Sequence, residues 1–293
     1  TTLFRSCCAF TFLLGGGPIE MMLAFIAAGI GNLIRTKLIK HHFTLFLNIA
    51  VSISASCFIY AALLKIAEMA FNVSTIHEAG YICSMLFIIP GFPFITSGID
   101  LAKLDLRSGL ERLAYAIIIV MVATMFAWIM ALLLQLKPMD FEDLDLGPVL
   151  HLILRLIMSF FGVFGFSIMF NSPASMAATA ALIGAIANSL RLELVDLTGM
   201  PAPAAAFAGA LTAGLLASFI KENNGYPRIS LTVPSIVIMV PGLYLYRAIY
   251  NFGIMALSDA VSWFASAIMI IIALPLGLIF ARILTDKTFR YCT

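Results

Sequence analysis

LFIIPGFPFITSGID, residues 86–100, sets an apolar run against a Pro-Gly pair, and IVIMVPGLYLYRAIYN, residues 236–251, does so a second time. The pairs, Pro90-Gly91 and Pro241-Gly242, stand 151 residues apart. Proline lacks the backbone donor and crowds the preceding turn, so each pair predicts a helix broken partway along an apolar segment. Both fall about 12 residues into their segments, roughly 18 Å at 1.5 Å per residue, near the middle of a hydrocarbon core about 30 Å thick. A lone Pro-Gly in a membrane helix is usually a packing kink. Interruptions at corresponding places in two halves of a chain instead point to a binding site, because freed backbone groups can hold a polar solute there. Pro90, Gly91, Pro241 and Gly242 are therefore candidate substrate contacts.

The rest of the chain agrees with a membrane setting. Of its 293 residues, 62% are hydrophobic and 11% charged, with mean hydropathy +1.06. A soluble domain carries about 25% charged residues, so the chain belongs among polytopic membrane proteins. A net charge of +2 gives no phosphate-binding surface, and nucleic acid is excluded as a partner. The cysteines Cys7, Cys8, Cys57, Cys83 and Cys292 form no CxxC pair, so neither a disulfide framework nor a metal site is expected. An intramembrane enzyme is not expected either: there is no HExxH and no serine-nucleophile motif with a partner His. A P-loop is absent too, so ATP is not the direct energy source, and no cofactor is expected.

Apolar runs near 18–35, 43–64, 78–99, 113–135, 148–170, 174–190, 202–220, 229–250 and 259–282, with a short one at 7–14, predict about ten membrane-spanning helices. They are continuous instead of alternating, so the fold class is all-α and not a β-barrel. The first run is too short to span, and Thr1–Ser6 (TTLFRS) back-translates to the end of a sequencing adapter; a truncated, partly non-native N-terminus is expected. Threading ten spans puts Arg5, Arg35, Lys37, Lys40, Lys103, Arg107, Arg112, Lys221, Arg228, Arg282, Lys287 and Arg290 on one side, which should be cytoplasmic. Lys65, Lys137, Arg155, Arg191 and Arg247 fall on or near the other, and both termini are then inside. Asp140, Glu142, Asp143 and Asp145 mark the longest outer connection, which divides the chain into a first repeat at 1–146 and a second at 147–293. A second match supports the division: GNLIR ends at Arg35 and ANSLR at Arg191, 156 residues apart, each after a small-residue break. Five spans per half make the second repeat enter from the opposite side, an inverted repeat of the kind common in transporters.

The GGG element before a long apolar helix, PGFPFITSGIDLAKLDLRSGLERLAYA from Pro90, and FGFSIMFNSP followed by VPSIVIMVPGLYLYRAIY resemble the bacterial threonine/serine exporter family over nearly the whole chain. The first half is similar to the family's larger domain and the second to its smaller one. The resemblance implies export of threonine and serine across the bacterial inner membrane, driven by the proton motive force. The cytoplasmic N-terminal segment of the family is missing from this sequence. Another small metabolite, such as a carboxylic acid, is the alternative cargo, and a more cationic pocket would favour it. The partners expected are therefore the amino-acid substrate, protons and lipid, with a homo-oligomer left open.

Asp100 closes SGID ten residues after Pro90, and Asn251 stands ten after Pro241. A carboxylate there could bind the substrate ammonium or carry the coupled proton; it could equally pair with Lys103 or Arg107 as a boundary anchor. Glu20, after the GGGP break, reads as a solvated helix N-terminal residue or as a proton relay. Thr96 and Ser97 offer hydroxyls beside the first break, and Asn171 at the NSP break sits where helix N-terminal donors suit a carboxylate. Asn32, Asn48, Ser52 and Asn188, like Thr96 and Ser97, are polar residues in or near spans that more often bond between helices than hold ligands. Arg247 could meet a substrate carboxylate or snorkel to the interface, and Arg155 has the same two readings. The run PAPAAAFAGALTAGLLA, with Gly209 and Gly214, reads as close helix packing.

Overall fold

A computed structural model describes residues 2–71, 78–136 and 147–290, which are helical with no strand among them. The acidic connection with Asp140, Glu142, Asp143 and Asp145, together with Lys137, lies outside the described residues. In order the helices are α1 (Thr2–Leu13), α2 (Pro18–Lys40), α3 (Leu45–Phe71), α4 (Glu78–Met85), α5 (Gly91–Ala102), α6 (Leu106–Leu133), α7 (Pro148–Met169), α8 (Ala174–Thr198), α9 (Ala202–Asn224), α10 (Arg228–Val237), α11 (Gly242–Gly253), α12 (Leu257–Thr285) and α13 (Lys287–Arg290).

Seven of these, α2, α3, α6, α7, α8, α9 and α12, are long and apolar enough to cross a membrane. The pair α10 and α11, bent by 45° at its break, makes an eighth if counted as one span. The expected ten counted two more segments. One is α1, whose 12 residues reach only about 18 Å. The other is α4 with α5, where five residues, 86–90, leave the helix between the two pieces. This is a multi-pass, all-α membrane protein.

The chain forms two compact units. The first holds residues 1–90, 117–147 and 242–264, and the second holds 91–116, 148–241 and 265–293. Each half of the chain thus contributes its first and last parts to one unit and the segment after its Pro-Gly pair to the other. In the first unit α2 packs on α1, α3 and α4, and α11 joins α4; in the second α8 packs on α7, α9 and α10, and α5 joins α10.

Packing follows the lipid rule that small residues face neighbouring helices and large ones face outward. On α6, Ala116, Ala123, Ala127 and Ala131 are buried while Ile117, Met121, Met125 and Leu132 are exposed. Gly209 and Gly214 behave as the sequence suggests: a Cβ would lie 3.1 Å from the Ala187 carbonyl at the first and 2.5 Å from the Ala281 Cβ at the second.

Hydrogen bonding repeats at the two offsets read from the sequence. At the spacing of the Pro-Gly pairs, Asp105 N–H donates to the Asp100 carbonyl (3.0 Å) and Ala256 N–H to the Asn251 carbonyl (2.9 Å). Leu104 and Met255 between them share a left-handed backbone, φ 63° each, which ends α5 and α11 in the same way. At the spacing of GNLIR and ANSLR, Gly16 N–H meets the Thr11 carbonyl (2.8 Å) and Ser172 N–H the Ser167 carbonyl (3.2 Å). Gly15 and Asn171 are the left-handed residues there, at φ 87° and 61°.

Candidate functional site

Each unit holds the turn that runs up to the proline of one pair and the helix that starts at the glycine of the other. In the first, α4 ends at Met85 and the chain runs through turns to Pro90. The Phe87 carbonyl there is taken by Arg35 Nη1 at 2.9 Å, a charge-assisted bond from α2 to a backbone group at the break. Arg35, read from the sequence as part of a cytoplasmic charge cluster, thus works on the broken helix. Ser84 lies six residues before Pro90, and its carbonyl accepts the Ser56 hydroxyl at 2.7 Å while its own hydroxyl donates to the Tyr81 carbonyl. Gly242 packs against this turn, where a Cβ would lie 2.7 Å from Ile89 Cδ1 and 3.4 Å from Leu86 Cδ2. Tyr60, Tyr81, Tyr246 and Tyr250 form a row of rings with centroids 6.0 to 6.3 Å apart. Tyr81 also donates to the Ala127 carbonyl at 2.7 Å.

The second unit repeats the arrangement with roles exchanged. Here α10 ends at Val237, and Gly91 packs against the following turn, its would-be Cβ 3.1 Å from Val237 Cγ2 and 3.4 Å from Val240 Cγ2. Ser235, six residues before Pro241, donates to the Ala180 carbonyl of α8 at 2.9 Å. The helices touch at Gly184, where a Cβ would lie 2.8 Å from the Ser235 carbonyl. Both halves therefore carry Ser, five residues, then Pro-Gly: SMLFIIPG and SIVIMVPG. The sequence reading missed these serines, although their identical spacing from Pro-Gly was available as a signal.

The candidate residues are placed as follows. Pro90, Gly91, Pro241 and Gly242 are buried at the breaks. Thr96 and Ser97 are buried on α5, with hydroxyls donating back to the carbonyls of Phe92 (3.0 Å) and Phe94 (2.8 Å). Asp100, at the far end of α5, accepts Arg112 Nη1 at 2.7 Å, so its ionic partner is neither Lys103 nor Arg107. Asn251 donates to the Arg247 carbonyl one turn back, at 2.8 Å. Asn171 is exposed and ends α7 in a left-handed conformation, two residues before the α8 cap at Pro173. It is the positional counterpart of Gly15, a helix-ending role in both halves.

Glu20 does lie in the first turn of α2, where its Oε2 accepts the Gly17 N–H at 2.7 Å, but it is buried and not solvated. Arg247 is also buried, its guanidinium 4.8 Å above the Trp263 ring, instead of reaching for an interface. Arg155 bonds Glu193 at 2.7 Å and also Asp196, in an ionic cluster between α7 and α8. Asn188 donates to the Ser159 hydroxyl at 2.9 Å, and its carbonyl oxygen is a buried acceptor with no partner among the described residues. Ser52 donates to Asn48 at 3.1 Å. No cluster of His, Cys, Asp and Glu among the described residues could hold a metal ion.

Chemically, each break frees backbone carbonyls next to buried serine hydroxyls. Comparisons with known proteins place the chain among transporters. Residues 2–135 match the family model ThrE, described as "Putative threonine/serine exporter", and residues 155–284 match a second model described as "Threonine/Serine exporter, ThrE". A curated relative, "Probable succinate transporter subunit YjjP" of Escherichia coli (strain K12), is 32% identical over 127 residues. That alignment takes in 43% of this chain and 48% of the relative, so the chain spans about half the length of the curated relative it matches. No solved structure matches the chain.

Proposed function

Since the chain belongs to the threonine/serine exporter family along both of its halves, we propose that it is a secondary transporter exporting threonine and serine from the cytoplasm in exchange for protons. The observation that carries this reading is the pair of Pro-Gly breaks, matched in sequence and in the turns before them, where Ile88 N–H donates to the Met85 carbonyl and Met239 N–H to the Ile236 carbonyl. A scaffold subunit gains nothing from interrupting two helices in the same way; a solute carrier gains polar backbone groups in an apolar setting. In this reading 1–146 and 147–293 are inverted repeats of five spans each, the side bearing most of the lysines and arginines is cytoplasmic, and the membrane is the bacterial inner membrane. Residues at the breaks, with Thr96, Ser97, Asn171 and Asn251, contact the substrate, and Asp100 and Glu20 carry the coupled proton.

The test is flux of labelled threonine into and out of proteoliposomes, with and without an imposed pH gradient, for the wild-type chain and Asp100→Asn. Gradient-driven flux that Asp100→Asn abolishes supports antiport through Asp100. Flux indifferent to the gradient removes the coupling, and no flux of threonine or serine from folded protein removes the substrate. A second reading, export of a small carboxylic acid, is favoured by similarity to the E. coli "Probable succinate transporter subunit YjjP" and by a basic cavity in the second unit.

A further inference from the structure

The basic clusters at residues 103–112, 221–228 and 282–290 read in sequence as orientation signals on one side of the membrane. The fold of the second unit brings one member of each to a single cavity of about 170 Å³, lined by Lys103 from the end of α5, Arg228 from the start of α10, and Arg282 from the end of α12. That volume is many times the roughly 15 Å³ that one water needs. Ile99, Ile229 and Leu278 supply apolar wall, and Asp286 is the one acid in the lining. Three cations against one carboxylate leave a formal charge of +2 facing a partly enclosed space. Like charges gathered there repel one another, a cost that a bound anion would offset.

The donors are arranged and partly unspent. Arg228 is pinned by Nη1 to the Thr285 hydroxyl at 3.0 Å and by Nη2 to the Gly214 carbonyl at 3.1 Å. A guanidinium has five N–H donors, so these bonds fix its plane and leave donors over. Arg282 spends Nε on Asp286 at 3.4 Å and stacks 4.0 Å from the Phe289 ring, which holds it in place with both terminal nitrogens uncommitted to that contact. The Lys103 ammonium has no partner among the described residues, and the first turn of α10 adds the positive end of its dipole.

We propose that Lys103, Arg228 and Arg282 form a binding site for a small dicarboxylate anion, separate from the helix breaks. One carboxylate would leave the surplus charge half compensated, whereas two match it. A zwitterionic amino acid is the poorer ligand, because the acid that would meet its ammonium is already engaged by Arg282. The inference rests on the second reading above for its ligand class, but its test does not depend on transport.

The experiment is calorimetric titration of the purified chain in detergent at neutral pH with succinate as the dicarboxylate probe. Butyrate, threonine and glycerol 3-phosphate run in parallel, the last standing for a phosphate or lipid headgroup. The expected result is saturable succinate binding at least about tenfold tighter than that of the other three, weakened about tenfold or more by Lys103→Glu. Lys103 is exposed and partnerless among the described residues, so its charge reversal should leave the melting temperature unchanged; Arg228→Lys, which keeps the charge and loses the fork, should weaken binding as well. Absence of succinate binding, binding unmoved by Lys103→Glu, or tighter binding of glycerol 3-phosphate or threonine would each overturn the proposal. Threonine flux is scored separately, so failure here and failure of the transport reading remain distinguishable.

Discussion

Arg35→Met tests whether the first helix break is held from outside. Proline at position 90 and the turns before it take the Phe87 carbonyl out of the helical ladder, and the Arg35 guanidinium bonds it at 2.9 Å. A hydrogen bond involving a charged group contributes about 1.5–3 kcal/mol. Arg35 is only half-buried, so water can replace part of that, and a net loss of about 1–2 kcal/mol is expected. At about 1.4 kcal/mol per factor of ten, the unfolded population should rise roughly fivefold to thirtyfold. The assay is reversible unfolding in mixed micelles by added SDS, followed by circular dichroism, with Lys37→Met as control. Lys37 is an exposed cation on the same helix with no bond to the break, so the comparison subtracts the general effect of losing a positive charge. Arg35→Met should fall below Lys37→Met by the stated margin and should lower threonine flux more than it lowers the amount of folded protein. Equal stability of the two variants would refute the idea that Arg35 maintains the break.

Gly98→Ala should destabilise by about 1–2 kcal/mol after allowing for the better helix propensity of alanine. The new Cβ would lie 2.2 Å from Cγ of the stiff Pro275 ring, while Gly17→Ala, with nothing within 4 Å, should stay within about 0.5 kcal/mol in the same unfolding assay. Asp100→Asn should change stability by less than about 1 kcal/mol, because its partner Arg112 is half exposed. A large drop in flux with intact melting would then report function, whereas parallel losses would mark Asp100 as structural. Arg155→Met leaves Glu193 and Asp196 without their shared cation, and a loss of about 1–3 kcal/mol is expected, recovered in part by adding Glu193→Gln. No rescue would mean the cluster acts through packing and not charge.

The two breaks were legible before any coordinates because proline acts locally: it removes a donor wherever it stands, and finding its repetition in the second half needed only counting. Spans were legible for a similar reason, since an apolar run of about 20 residues has few other fates. The count was less secure. It depended on α1 and on the α4 and α5 pair, where length alone does not decide whether a segment crosses. Asp100 shows how the candidate site escaped a one-dimensional reading. Its near neighbours in sequence were Lys103 and Arg107, yet the ion pair is with Arg112, because the turn at Leu104 folds α6 back and sets the partner by geometry.

Sequence alone determined that this chain lives in a membrane and that it breaks helices at two Pro-Gly pairs 151 residues apart, both consequences of composition, proline stereochemistry and spacing. Tertiary structure decided that the segments following the two breaks are exchanged between compact units, that Arg35 serves a carbonyl 52 positions away, and that Lys103, Arg228 and Arg282 meet around one cavity. These depend on which helices pack together, and packing between helices is set by shape and buried small residues distributed over the whole chain, which no local window of sequence contains.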